Sequence, residues 1–139
     1  MDNITISTKN VDNLRDFLQL HGFEVNHMQD SVYKVVREDE LPVYIHVGKE
    51  SIYFELDLGN VESFASLEFY RSLLEMNPQI QPVSFAINQT NPDDPRLVLV
   101  ESRVTVDLCS DEVLSIFDAL ELASDKAESM LQPYLKDII

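Results

Sequence analysis

The stretch PVYIHVGKESIYFELDL, residues 42–58, alternates apolar and polar side chains on either side of the short segment GKES. A period of two marks a strand with one buried face, and a brief glycine-containing break between two such runs marks a hairpin. The register checks itself. Pairing Val47 with Ile52, Ile45 with Phe54 and Val43 with Leu56 puts all the large apolar side chains on one face and Tyr44, His46, Tyr53, Glu55 and Asp57 on the other. A slip of one residue would turn the apolar set to water, so an antiparallel sheet is the framework around which the rest must fit.

Upstream, FEVNHM and SVYKVVRE, separated by Gln29 and Asp30, supply two more strand-like runs, for four antiparallel strands. Ahead of them, Val11, Leu14, Phe17 and Leu18 stand at helical spacing, with Asn10 placed as an N-cap and Gly22 where a left-handed C-cap belongs. Downstream, NVESFASLEFYRSLLEMN carries Phe64, Leu67, Tyr70, Leu73 and Leu74 in a helical stripe, stopped at Pro78. Val83, Phe85 and Ile87 alternate as a fifth strand. The run from Leu97 to Leu108 keeps Val98, Val100, Val104, Val106 and Leu108 on one face, and its length predicts a kink or bulge near Glu101 and Ser102.

The last element is a long helix: Ser110 as N-cap, Asp111 and Glu112 at the positive end of its dipole, and Val113, Ile116, Phe117, Leu120, Ala127, Met130 and Leu131 as its apolar stripe, with Pro133 fraying or ending it. The expected fold is α+β: an antiparallel sheet of five to six strands with helices packed on it, in the order α-β-β-β-β-α-β-β-α. Residues 1–139 are expected to form a single domain.

Lysine and arginine number 10 against 25 aspartates and glutamates, a formal charge of −15. Such a surface repels phosphate backbones and anionic headgroups, which excludes nucleic acid as a partner and direct membrane insertion as a mode of action. No apolar run approaches the roughly 18 residues needed to span a bilayer, and MDNITISTKN lacks the basic and apolar regions of a secretory leader, so a cytoplasmic location is expected. The one cysteine, Cys109, has no internal disulfide partner and reads as a small hydrophobe.

Three groups could carry chemistry. In NQTNPDDPRLVLV, residues 88–100, Asp93 and Asp94 lie between two prolines; a hard-cation site needs six to eight converging oxygens, so a turn is the simpler reading. His46, Glu55 and Asp57 share the polar face of the central hairpin and form the one acid–base constellation that can be assembled. On the last helix Asp111, Asp118, Glu121, Asp125 and Glu128 recur at helical intervals, a solvated face that could also dock a basic protein.

The segment FYRSLLEMNPQIQPVSFAI followed by LVLVESRVTVDLCSDEVLSIFDALELASDKAESM, together with the order of elements, resembles the YjfI-like family of uncharacterised bacterial cytoplasmic proteins. That resemblance implies no catalytic residues and no cofactor. It implies instead a protein partner resembling phage-shock protein A, a coiled-coil membrane-stress effector. Element order and charge also resemble the small acidic chaperones of type III secretion, dimeric α+β proteins that hold partner chains without ATP. The expected function is a non-catalytic, chaperone-like interaction module that binds a protein partner and forms a homodimer, with no metal site. The alternative is a small enzyme or ligand binder using His46, Glu55 and Asp57.

Overall fold

A computed structural model describes residues 11–105 and 108–136; for residues 11–13, 135 and 136 the description is limited to the backbone. Asn10 and Val106, to which the sequence assigns a cap and a strand position, lie outside the described residues. The elements run α1 (Val11–Leu20), β1 (Phe23–Gln29), β2 (Val32–Arg37), β3 (Val43–Val47), β4 (Ser51–Gly59), α2 (Leu67–Met76), β5 (Ser84–Asn88), β6 (Arg96–Val104) and α3 (Ser110–Lys136). The fold is the α+β arrangement expected, with a six-stranded sheet in the order β1-β2-β3-β4-β6-β5 and every neighbouring pair antiparallel.

The β3–β4 hairpin has the register that its alternation dictates: Val43 opposite Leu56, Ile45 opposite Phe54 and Val47 opposite Ile52. Those six side chains are buried. The same face continues through Val35, Leu97, Leu99 and Phe85, and it meets Leu14, Phe17 and Leu18 of α1, Phe69 and Leu73 of α2, and the inner stripe of α3 in one hydrophobic cluster. Phe117 of α3 sits at its centre, 4.6 Å from the Phe23 ring and edge-on to Phe54 at 5.8 Å. Helices thus cover one face of the sheet and leave the other open, as antiparallel sheets allow.

Local signals explain the helix ends. Gly22 takes a φ of 87°, the left-handed geometry of a C-cap, while the His21 and Gly22 amides bond to Leu18 and Gln19 carbonyls. Ser66 caps α2 by accepting the Phe69 amide. A 3-10 turn over Asn77–Gln79 with Pro78 in its first positions closes that helix.

Five expectations change. The α2 helix begins only at Leu67, so Phe64 precedes it. Its buried residues are Phe69 and Leu73, while Leu67 and Leu74 are 87% and 65% exposed. The irregularity expected at Glu101 and Ser102 lies instead on the partner strand, between Asp57 and Gly59, where the φ of Gly59 is 108°. Glu101 and Ser102 pair regularly with Phe54 and Tyr53, and the strand ends at Val104 rather than running to Leu108. A glycine absorbs the distortion more cheaply than β-branched or polar residues can. Finally, Pro133 lies inside α3, which continues to Lys136; an exposed proline in the last turn forfeits one hydrogen bond whose carbonyl water can serve.

Candidate functional site

The open face of the sheet carries the hairpin constellation. His46 pairs across the hairpin with Tyr53 and is exposed. Glu55 is half-buried and accepts the Tyr53 hydroxyl at 2.7 Å and the Asn88 side-chain amide at 3.1 Å on each oxygen. Burial and that bond to Glu55 push the Tyr53 phenol well above its ordinary value of 10. Asp57 accepts the Gly59 amide at 2.7 Å and the Arg96 guanidinium at 3.1 Å. The structure therefore places His46, Glu55 and Asp57 on one face but turns neither carboxylate toward the histidine. Their bonds are structural ones: Asn88 and Glu55 reach toward each other from β5 and β4 across β6, above Val98, which is 1% exposed although it faces away from the helices.

The loop ahead of β6 is a turn with a further job. Asn91 accepts the Asp93 amide on its side chain and the Asp94 amide on its carbonyl, as the turn reading requires. Asp94 also takes the Asn60 amide at 2.8 Å and the Arg96 guanidinium at 3.2 Å, and the Asn60 bond, with the Arg96 charge, holds its carboxyl below the usual range. Among the described residues no group of three or more His, Cys, Asp or Glu side chains is arranged to hold a metal ion. Cys109 is half-buried with its thiol 3.6 Å from a Glu112 oxygen.

On α3, Asp111, Asp118, Asp125 and Glu128 are exposed and Glu121 is half-buried. Two of the five are occupied. Arg37, at the end of β2, bonds Glu121 at 2.6 Å and Asp118 at 3.2 Å while lying 5.0 Å over the Phe23 ring. Glu40 in the following loop shares this corner. Its carboxyl is raised by desolvation, by a hydrogen bond with Glu121 and by the Glu121 and Asp125 charges, against the pull of Arg37. Beneath them, Phe23, Leu41, Phe117 and Leu120 line a cleft of about 20 Å³, room for about one water molecule. The helix pattern alone could not show that Arg37 belongs to this face. A signal existed: Tyr33, Val35 and Arg37 alternate on the covered side of β2, which aims a cation at the helix layer.

With six antiparallel strands, helices on one face and a long acidic C-terminal helix, the chain has an α+β fold that solved structures share. One chain of the heterodimeric ExoU–SpcU complex from the type III secretion system of Pseudomonas aeruginosa superposes with a TM-score of 0.68 at 21% identity, over 85% of this chain and 97% of that one. YbjN, a proposed transcription regulator from E. coli, superposes with a TM-score of 0.64 at 18% identity, over 94% of this chain and 91% of that one. At such identities the likeness is one of fold. No family model matches the chain and no curated protein matches it in sequence. No helix among the described residues is long and apolar enough to cross a membrane.

Proposed function

We propose that this protein is a non-catalytic, chaperone-like module: a single domain that works in the cytoplasm, forms a homodimer and holds another protein chain. One observation carries the reading. The groups with acid–base potential, Glu55 and Asp57, are tied into bonds that stabilise the sheet, whereas Asp111, Asp125 and Glu128 project from α3 into solvent. The likeness in fold to a chain of a type III secretion complex supports it. The docking face comprises Asp111, Asp118, Glu121, Asp125 and Glu128, and its complement is a basic helical surface. The YjfI-like resemblance suggests a partner of the phage-shock-protein-A type, a coiled coil.

The test is a surface-binding measurement of the purified protein against such a coiled coil over a salt series from about 0.1 M to about 1 M, across which the Debye length contracts from about 10 Å to about 3 Å. Affinity should fall steeply, through the on-rate. Absence of binding at low salt, or binding indifferent to salt, overturns the electrostatic docking.

A further inference from the structure

The loop from β4 into α2 and the turn from β5 into β6 meet at the edge of the sheet. Between them Val61, Tyr70, Ile87, Pro95 and Leu97 line a cleft of about 300 Å³, with Glu62 and Gln89 as its polar lining. Val61, Pro95 and Leu97 are buried and form the floor, while Glu62, Ile87 and Gln89 are exposed. Asn60 ties the two sides together. Its side chain accepts the Glu62 amide at 2.9 Å and donates to Asp94 at 2.8 Å, so the Glu62 backbone is held in place at the rim.

An apolar floor with a carboxylate at the rim suits a group that is apolar along its length and cationic at its end, which is the build of a lysine or arginine side chain. The two guanidiniums in this part of the chain are engaged elsewhere: Arg71 with Glu75 at 2.9 Å, and Arg96 with Asp57 at 3.1 Å and Asp94 at 3.2 Å. Residues 57–97 hold six carboxylates against those two cations, so the field at the cleft draws a cation from outside. The Tyr70 ring, edge-on to Phe69 at 5.7 Å, adds an aromatic wall of the kind that attracts one.

The cleft is too open for a free small molecule, because sites for such ligands bury most of the ligand surface. A side chain carried on a polypeptide has no such need, and the neighbouring backbone can receive a polypeptide. Strand β5 is an edge of the sheet. Phe85 donates its amide to the Asn77 side chain at 2.7 Å, away from β6, and by the alternation of an antiparallel ladder Ile87 turns its amide and carbonyl toward the same edge. A chain bonded there would carry its side chains past the cleft.

We propose that this cleft seats a lysine or arginine side chain of a bound polypeptide, its stem along Val61, Ile87 and Leu97 and its charged head between Glu62 and the Tyr70 ring. This rests on the reading that the protein holds another chain, and it adds to that reading a contact away from α3.

The test is an NMR titration of the isotope-labelled full chain with end-capped tripeptides. Val-Lys-Val and Val-Arg-Val are compared with Val-norleucine-Val, which keeps the stem and lacks the charge. The basic tripeptides should shift the signals of Val61, Tyr70, Ile87 and Leu97 saturably, with a dissociation constant on the order of 1 mM. The norleucine tripeptide should bind about 5-fold more weakly, the loss expected for an exposed ion pair and a cation–π contact. Glu62→Gln should bring the basic tripeptides down to the norleucine affinity while leaving the spectrum of the free protein otherwise unchanged, since the Asn60 bond is to the Glu62 backbone. Equal binding of basic and norleucine tripeptides, indifference to Glu62→Gln, or shifts confined to α3 would each overturn the cleft. The salt series against a coiled coil reads α3 and not this cleft, so either reading can fail while the other stands.

Discussion

Arg37 and Glu121 lie 84 residues apart in the chain and 2.6 Å apart in space, joining the end of β2 to the middle of α3. The bond fastens the helix layer to the sheet at a corner where the Phe23 ring lies under the guanidinium. Replacing Arg37 with Ala should lower stability in urea by about 1–2 kcal/mol, the sum of a partly exposed ion pair and a cation–π contact. The Arg37 side chain is 27% exposed, and solvent screening holds the effect to that size. The denaturation midpoint should fall with an unchanged slope.

The same corner holds more negative charge than Arg37 can balance, and Glu40 bears the consequence. Its carboxyl is raised above the ordinary value of 4.5, so between that value and the raised one the folded state binds the proton more tightly than the unfolded chain does. Stability from this group is therefore lost as pH rises through that window. Glu40→Gln should raise the thermal midpoint at neutral pH, and the gain should shrink to nothing below about pH 4, where Glu40 is protonated in both states. A gain that persists in acid would mean that packing, not charge, is responsible.

Asp94 should behave in the opposite sense. Its carboxyl is depressed by Asn60 and Arg96, so its contribution is present above the ordinary value of 3.8 and is lost as pH falls through the depressed one. Asp94→Asn should lower the thermal midpoint by a few degrees at neutral pH, a size typical of exposed ion pairs, and should converge with the parent in strong acid. Asp93→Asn should leave the midpoint close to that of the parent at neutral pH, since the turn holds position 93 through its backbone amide, which Asn91 accepts. Added Ca²⁺ or Mg²⁺ should shift none of the three proteins; a metal-dependent rise in the parent would contradict the turn reading.

What the sequence makes legible follows from the range of the interactions. The β3–β4 register could be read because five residue pairs, all within the span from Val43 to Leu56, share one alternation, and Gly22 could be read because a helix end is a local event. The insertion of β6 between β4 and β5 could not, since the pairing of Leu56 with Leu99 spans a helix and a turn. For the same reason strand length, the local clue, points to a bulge at Glu101 and Ser102, whereas Gly59 on the facing strand is where a bend costs least. On α2 the helical period finds the helix and correctly turns Leu73, with partly buried Phe64 and Tyr70, to the core, but it also counts the exposed Leu67 and Leu74 and passes over the buried Phe69. Periodicity can find two apolar lines on one helix without showing which of them meets this chain's own sheet.

The acidic face of α3 divides by occupancy, and that division yields the last prediction. Asp118 and Glu121 are bonded to Arg37, whereas Asp111 and Glu128 are exposed and Asp125 acts on Glu40 through its charge. Reversing Asp111, Asp125 and Glu128 to Lys should therefore leave the thermal midpoint close to that of the parent, since exposed substitutions move stability by about 0.5 kcal/mol. The same triple reversal should slow association with a basic coiled coil by about 10- to 100-fold at low salt and flatten its salt dependence, because steering acts on the encounter rather than on the docked state. Reversing Asp118 and Glu121 instead should weaken binding and also destabilise the fold, by placing two cations beside Arg37. Stopped-flow association read beside thermal melts separates the two sets. If the exposed triple variant binds as fast as the parent, the partner docks elsewhere, and the open face of the sheet around Tyr44, Tyr53 and Val100 becomes the surface to vary next.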